Sequence, residues 1–527
     1  MLALAFMALM AGPAQVSAPS DFDVIVVPGF TPDDLESVQD RGAIGLLNPG
    51  AGPDTSAELA LASLVRGQVR NSLRGDAPGG RPLIEARFLG DREAPFLQPG
   101  IYVGLPEGGL QPNDRRYPIL VVGRGYEGLL TSDSTRIPGL VSIVDVAPTA
   151  LGQEDALGSE PATDAAATLL DLDERIDENN DVRLPATILV CALVVALALL
   201  LPQAAVPGLA AALAANLGLG IAGVSSFWVV LAVLAAAVAL GGPALAAVLR
   251  SEVALGAFLV AVVAGYLLAL GIDGTTVALS PFGPSQNARY FGLSNLLESM
   301  LLVPALAGTA LLYRALGWAA FAATALLVFI TVAGNRFGAD GGGAIVLAAG
   351  FAVLAVLLAG GGRRALAIAV GASVALALGL VGLDAATGGS SHVTSALEDG
   401  PAGLGGDLVE RVELSWLRAT SSWWVGLVVV ALIVVFALLV AWTLRRREPL
   451  EKLAAPLSLA AAIAVSLVVN DSPIDVLLVG LTGYAALAAG MLRAPWPASP
   501  QSSSASPLWF SPPAAAERRR PRLRPRP

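Results

Sequence analysis

The chain is 527 residues long, 55% hydrophobic and only 14% charged, with a formal net charge of -10. No ordinary soluble protein of this size has that composition, and the acidic balance argues against nucleic acid as a partner. One cysteine (Cys191) and one histidine (His392) exclude an intrachain disulfide, a cysteine metal cluster and any site built from two histidines of one chain.

Residues 1–18 carry an apolar core, Leu2 to Met10, followed by Val16-Ser17-Ala18, the small-residue pattern of a signal-peptide cleavage site. A water-soluble module is expected over 19–152. Within it Asp23 to Val27, Ala43 to Leu47 and Tyr117 to Val122 read as strands, Ser56 to Leu73 has helical spacing, and Asp145 to Leu151 opens another helix. Strands alternating with helices predict an α/β module with a largely parallel sheet. Residues 153–183 are rich in Asp, Glu and Ala and read as an acidic linker or a solvated helix.

From Leu184 the chain turns apolar, and a polytopic all-α membrane domain is expected over 184–493. Eleven spans are predicted, near 184–201, 206–224, 227–249, 253–271, 292–313, 316–333, 342–360, 365–383, 422–443, 454–470 and 473–492. With the module outside, alternate loops holding Arg250, Arg314, Arg363 with Arg364, Arg445 to Arg447, and Arg493 fall in the cytoplasm, as the positive-inside rule requires. The sequence thus predicts a multi-pass protein of the cytoplasmic membrane with an extracytoplasmic module. Residues 494–527, rich in Pro, Ser and Arg, read as a disordered basic cytoplasmic tail in reach of anionic lipid.

The same topology gathers the remaining polar segments on the outer face, and the stretch Asn287 to Glu298 leads them. An ionisable group at mid-span costs about 2.5 to 3.5 kcal/mol, so such groups face a polar cavity or a partner. Arg289 offers a permanently charged, bidentate donor for phosphate or carboxylate, or an interfacial arginine reaching headgroups. Asn295 and Glu298 lie three apart and share a helix face. Glu298 reads as a proton acceptor, a cation ligand or a structural partner of Arg289 or Arg336. Asn335, Arg336 and Asp340 stand beside Gly341-Gly342-Gly343, which suits either close backbone approach to a ligand or helix packing. His392, after Gly388-Gly389-Ser390-Ser391, reads as a general base, a donor to phosphate or a solvated loop residue. Asp471 precedes Pro473 at the last span and reads as a site residue or a helix cap. Trp416, Trp423 and Trp424 read as an interfacial belt.

The module resembles the alkaline phosphatase-like superfamily at three places: Val24 to Val27 with Pro28-Gly29, Gly52-Pro53-Asp54-Thr55-Ser56-Ala57, and Pro138-Gly139 through Asp145-Val146-Ala147-Pro148-Thr149. The resemblance implies a first strand, a nucleophile turn with its helix, and a late strand-to-helix segment. It also exposes departures: Pro28 stands where that family holds a metal-binding aspartate, and the module has no histidine. Thr55 or Ser56 would occupy the nucleophile position with no metal to activate it. The module is therefore expected to be a pseudoenzyme, a scaffold or a binding lid.

The membrane domain is similar in layout to the O-antigen polymerase and ligase class of membrane glycosyltransferases. The chain as a whole also resembles uncharacterised bacterial membrane proteins that join a phosphatase-like module to such a domain. The first resemblance implies a polyprenyl-diphosphate-linked glycan as substrate and Arg289 and Arg336 as its phosphate-binding residues; in the transferase or polymerase expected on that basis, Glu298 or His392 handles the proton. A flippase or transporter of an envelope precursor, or a non-catalytic scaffold, are the competing expectations. Membrane lipids and cell-envelope assembly proteins are the expected partners. No cofactor is expected, although an oxygen-only Mg or Ca site built from carboxylates stays open.

Overall fold

The computed structural model describes residues 22–68, 72–74, 81–89, 96–152, 156–284, 290–334, 337–338, 341–361, 364–365, 368, 413–446, 448–470 and 472–493. The expected signal peptide, the span near 365–383 and the basic tail lie outside the described residues.

The first half is a sheet domain. Its strands are β1 (Val24–Val26), β2 (Ala43–Asn48), β3 (Asp54–Thr55), β4 (Ala86–Phe88), β5 (Gly100–Val103), β6 (Gln111–Pro112), β7 (Tyr117–Val122), β8 (Gly128–Ser132), β9 (Leu140–Ser142) and β10 (Leu157–Glu160). The main sheet runs β10-β8-β2-β7-β5-β1-β4, with β9 also on β2, while β3 and β6 form a separate pair. It is mixed, which corrects the expectation of a largely parallel sheet. β1 is parallel to β4 and β5, and β2 to β8 and β9, but β7 runs antiparallel to both β2 and β5. No helix separates β5 from β7, so nothing supplies the crossover that a parallel pair needs.

Alternation along the strands gives the sheet two buried faces. Val24, Val26, Ile101, Val103, Ile119 and Val121 face α1 (Ala57–Arg66) and α2 (Val146–Ala150), through Leu64 and Val146 among others. Ile25, Ile44, Leu46 and Leu120 face the other way, against Leu169, Leu172 and Ile176 of α3 (Ala165–Leu200) and against Ala278, Leu279 and Tyr290. The second face is therefore buried in part by residues that come after the first four membrane-type helices in the chain.

Helix α3 joins the two halves. Asp164 caps it by accepting from the Ala167 amide at 3.2 Å. Its 36 residues extend about 54 Å. The acidic stretch expected as a linker or solvated helix is, over 165–182, the first half of this helix, and Leu157–Glu160 before it is an edge strand of the sheet.

The helical domain follows: α4 (Pro202–Ala222), α5 (Phe227–Val248), α6 (Glu252–Ile272), α7 (Asn295–Leu316), α8 (Trp318–Ala333), α9 (Gly341–Leu358), α10 (Trp423–Arg445), α11 (Leu450–Val469) and α12 (Pro473–Arg493). Among the described residues eight helices are long and apolar enough to cross a membrane, α8 and α9 being shorter apolar helices. Helix α7 is the hub, with 94% of its apolar window buried, and it packs on α6, α8, α9, α11 and α12. Gly256 of α6 and Gly308 of α7 make this packing close, since a Cβ on either would stand 3.1 to 3.2 Å from the other's carbonyl oxygen. Helix α10 is the opposite case: only 11% of its window is buried, although it is the most apolar of the eight.

Arg116, just before β7, ties the sheet domain to α3. Its guanidinium is 1% exposed, pairs with Asp173 through Nε, and reaches Asp177 Oδ1 through Nη2 at 2.5 Å. Burial works against the charge, but the two carboxylates outweigh it and hold the guanidinium even more firmly protonated than usual. Arg116→Ala is expected to lower stability by about 3 kcal/mol, the low end for a broken buried pair because Asp177 is half exposed. A thermal unfolding scan of the purified protein checks this, with faster proteolysis of the sheet domain as the accompanying change.

Candidate functional site

In the sheet domain the segment carrying the phosphatase-like pattern forms a closed hydrogen-bond network. Asp145, 6% exposed, accepts from the hydroxyls of Ser132 and, at 2.6 Å, Ser134, and from the Ser134 amide at 3.3 Å. Its carbonyl accepts from Thr149 Oγ1 at 2.7 Å, and that hydroxyl in turn accepts from the Leu157 amide at 3.1 Å. The motif thus fastens β8, α2 and β10 together. Ser56 is the N-cap of α1, its Oγ accepting from the Leu59 amide at 3.2 Å, and Thr55 is buried in the β3–β6 pair. Pro28 lies in the exposed turn after β1, where the Gly29 amide donates to Glu107 Oε1 at 3.1 Å. Among the described residues no group of three or more His, Cys, Asp or Glu is placed to hold a metal.

Burial raises the Asp145 carboxyl above its ordinary value, and the serine hydrogen bonds only partly offset this. A raised acid favours the folded state most when protonated. Its contribution is complete below about pH 4, the unfolded value, and is lost as pH rises through the folded one. The melting temperature of the wild type is therefore expected to fall relative to that of Asp145→Asn as pH rises through this window, checked by paired unfolding scans.

The second candidate site is at the end of the helical domain nearest the sheet, where four polar stretches distant in sequence meet. Gly292 has φ +80°, and a Cβ there would collide with the Gly338 carbonyl. The Leu293 amide donates to that same carbonyl at 3.2 Å. Ser294 caps α7 by accepting from the Leu297 amide at 3.0 Å, and its hydroxyl donates to the Phe282 carbonyl at 2.7 Å. Asn295 Nδ2 reaches Ser472 Oγ at 3.5 Å, and Arg418 Nη1 donates to the same oxygen at 3.2 Å. Asp475, in the first turn of α12, acts electrostatically on Arg183 of α3.

Glu298 lies one turn into α7 and is 1% exposed. The first turn of α9 stands against it: a Cβ on Gly343 would be 2.9 Å from Glu298 Oε1 and 2.7 Å from Val332 Cγ1. A helix N-terminus carries unsatisfied amides and a partial positive charge, so it complements a carboxylate buried beside it. Gly343 serves this approach, which leaves no free room for a side chain. Gly343→Ala is expected to cost about 1 to 3 kcal/mol through overpacking. Val332→Ala in the same chain should recover part of that loss, measured as non-additivity in a double-mutant cycle of thermal stability.

The sheet domain closes over this region. Arg136, in a loop residue of φ 54°, stacks on Phe291 with its guanidinium carbon 4.1 Å from the ring centroid. Tyr290, 1% exposed, sits beside Arg116 in the apolar layer under the sheet.

Of the residues expected from sequence, Asn295 and Glu298 are placed here. Arg289, Asn335, Arg336, Asp340, His392 and Asp471 lie outside the described residues. Sequence reasoning passed over Arg418, Arg183 and the Arg116 and Arg136 contacts. Arg418 had a signal, since it is an arginine between Trp416 and Trp423. Arg116 and Arg136 had none, because their partners are about 60 and 155 residues away. Comparison with models of known families, with characterised proteins and with solved structures finds no match to this chain.

Proposed function

We propose that this protein acts at the sheet-facing end of its membrane domain on a phosphate-bearing, lipid-linked glycan precursor, as a transferase or polymerase. The observation that carries the reading is the meeting of Asn295, Arg418 and Ser472 beside the buried Glu298, under a sheet domain packed on Tyr290 and Phe291. Four chain segments contribute polar groups to one end of an otherwise apolar bundle, where each costs free energy unless it has a partner or a ligand. The described neighbours of Arg289 and Arg336 also touch, through Leu293 and Gly338. Arginine suits a diphosphate because its planar fork donates two parallel hydrogen bonds.

In this reading Arg289, Arg336 and Arg418 hold the diphosphate, Glu298 or His392 handles the proton, and the sheet domain, a pseudoenzyme, guides the acceptor. With the eleven spans expected from sequence, this end would face the outer side of the cytoplasmic membrane. The orientation draws support from Arg314, Arg445 and Arg493, which end α7, α10 and α12, helices that begin at the polar cluster. Polyprenyl diphosphate binding to the full chain in nanodiscs is the direct test. Arg418→Ala and Arg289→Ala are each expected to weaken it about tenfold, the loss of one charge-assisted contact of about 1.4 kcal/mol. Unchanged binding in both, with wild-type folding, overturns the assignment.

One observation favours a second reading, transport of such a precursor. Glu298 is an acid 1% exposed on the most buried helix, the position of a coupling-proton carrier. Glu298→Gln would then abolish pH-driven movement of the lipid across proteoliposomes while leaving diphosphate binding intact.

A further inference from the structure

The junction between α3 and the helical domain contains an unassigned site. Along one stripe of α3, Arg175, Asn179 and Arg183 donate to main-chain carbonyls of the helical domain. Arg175 Nη2 reaches Gly220 O at 3.0 Å and Leu279 O at 3.2 Å, Asn179 Nδ2 reaches Leu279 O at 3.0 Å, and Arg183 Nη2 reaches Pro284 O at 3.1 Å. These bonds satisfy carbonyls at the end of α4 and in the turn after α6. They leave other atoms of the same side chains unused. Asn179 Oδ1, Asn180 Nδ2 and Arg183 Nε are buried with no hydrogen-bond partner among the described residues, and the buried Tyr290 hydroxyl has the Arg116 side chain beside it.

Those groups belong to residues that line one small cavity of about 10 Å³, which Leu279 and Pro284 also line. A buried polar atom left unpaired costs about 1 to 3 kcal/mol, so three around one void are a strong indication of an occupant. The volume and the chemistry choose among occupants. About 10 to 15 Å³ is the room one water needs, which excludes phosphate and any organic ligand. A small anion would face the Asn179 carbonyl oxygen, and a cation would face the Arg183 guanidinium. Only a molecule that both donates and accepts suits the set.

We infer that this cavity is a binding site for a single structural water. It accepts from Arg183 Nε and Asn180 Nδ2 and donates to Asn179 Oδ1, with the Tyr290 hydroxyl lining the same cavity. The water completes a polar seam between the sheet domain and the membrane domain. On one side Tyr290 sits beside Arg116, whose donors are held by Asp173 and Asp177; on the other, Arg183 lies in the field of Asp475. The site does not depend on which substrate the protein takes.

Hydroxyl-radical footprinting by X-ray radiolysis of the full chain in nanodiscs tests this, because bound water generates radicals where bulk solvent does not reach. Tyr266 is the internal control: it is equally buried, but its hydroxyl donates to Leu213 O at 2.8 Å and accepts from Asn216 Nδ2 at 3.0 Å, leaving no place for water. Tyr290 is expected to be labelled several-fold faster than Tyr266, and Asn180→Leu, which removes one donor and fills the cavity, should bring it down to the Tyr266 rate. Asn179→Leu should do the same, with a loss of stability as well because the bond to Leu279 goes. Equal labelling of Tyr290 and Tyr266 in the wild type overturns the proposal. So does fast Tyr290 labelling that survives Asn180→Leu in a folded protein.

Discussion

The need to satisfy polar groups where a sheet meets a membrane domain governs the rest of this structure. The second sheet face is covered by α3 and by Ala278, Leu279 and Tyr290, so polar side chains from both halves are shut away from bulk water. An unpaired buried donor or acceptor costs more than an ordinary hydrogen bond gains. The chain meets this with a few multivalent groups: Arg116 on two carboxylates, Arg175 on two carbonyls, and Asn179 and Arg183 on one each. Such contacts add modestly to stability but punish any other placement of the sheet domain on the bundle, because a shifted interface would leave the charges buried alone.

Helix α3 makes that placement mechanically direct. Its first half is a layer of the sheet domain and its second half an apolar helix of the bundle, with no hinge of irregular chain between them. A displacement of the sheet domain is therefore felt by α4 and α12, which pack on α3. The stacking of Arg136 on Phe291 and the burial of Tyr290 add a second connection close to Glu298. A domain held at two points over the mouth of the bundle is suited to present or restrict what reaches that mouth. Within that domain Ser56 caps a helix and Asp145 is engaged in an internal hydrogen-bond network.

Glu298 is held by a different device. Its carboxylate is accommodated by a neighbouring helix terminus that only a residue without a side chain lets come close. The arrangement keeps an acid buried on the central helix.

Much of this was legible in the sequence, for identifiable reasons. The change from acidic to apolar composition near Leu184 separates the two halves, because a membrane interior admits only helices that bury or satisfy their own polar groups. The short, near-continuous apolar runs of Val24–Val26, Ala43–Asn48 and Tyr117–Val122 were readable as strands, because burial on both sheet faces leaves few polar positions. The stretch ending at Glu298 stood out because charge is rare where the surroundings are apolar. The antiparallel course of β7 was not legible, since strand direction depends on how a connection folds and not on the strand's residues. Nor was the continuity of 165–182 with the first apolar helix, because an acidic composition fits a solvated linker as well as a helix with one face on a sheet. Pairings such as Arg116 with Asp173 and Asp177, Arg418 with Ser472, or Gly343 with Glu298 leave no local trace. They arise when separate elements pack together, and only the tertiary structure decides which distant polar group each buried charge will find.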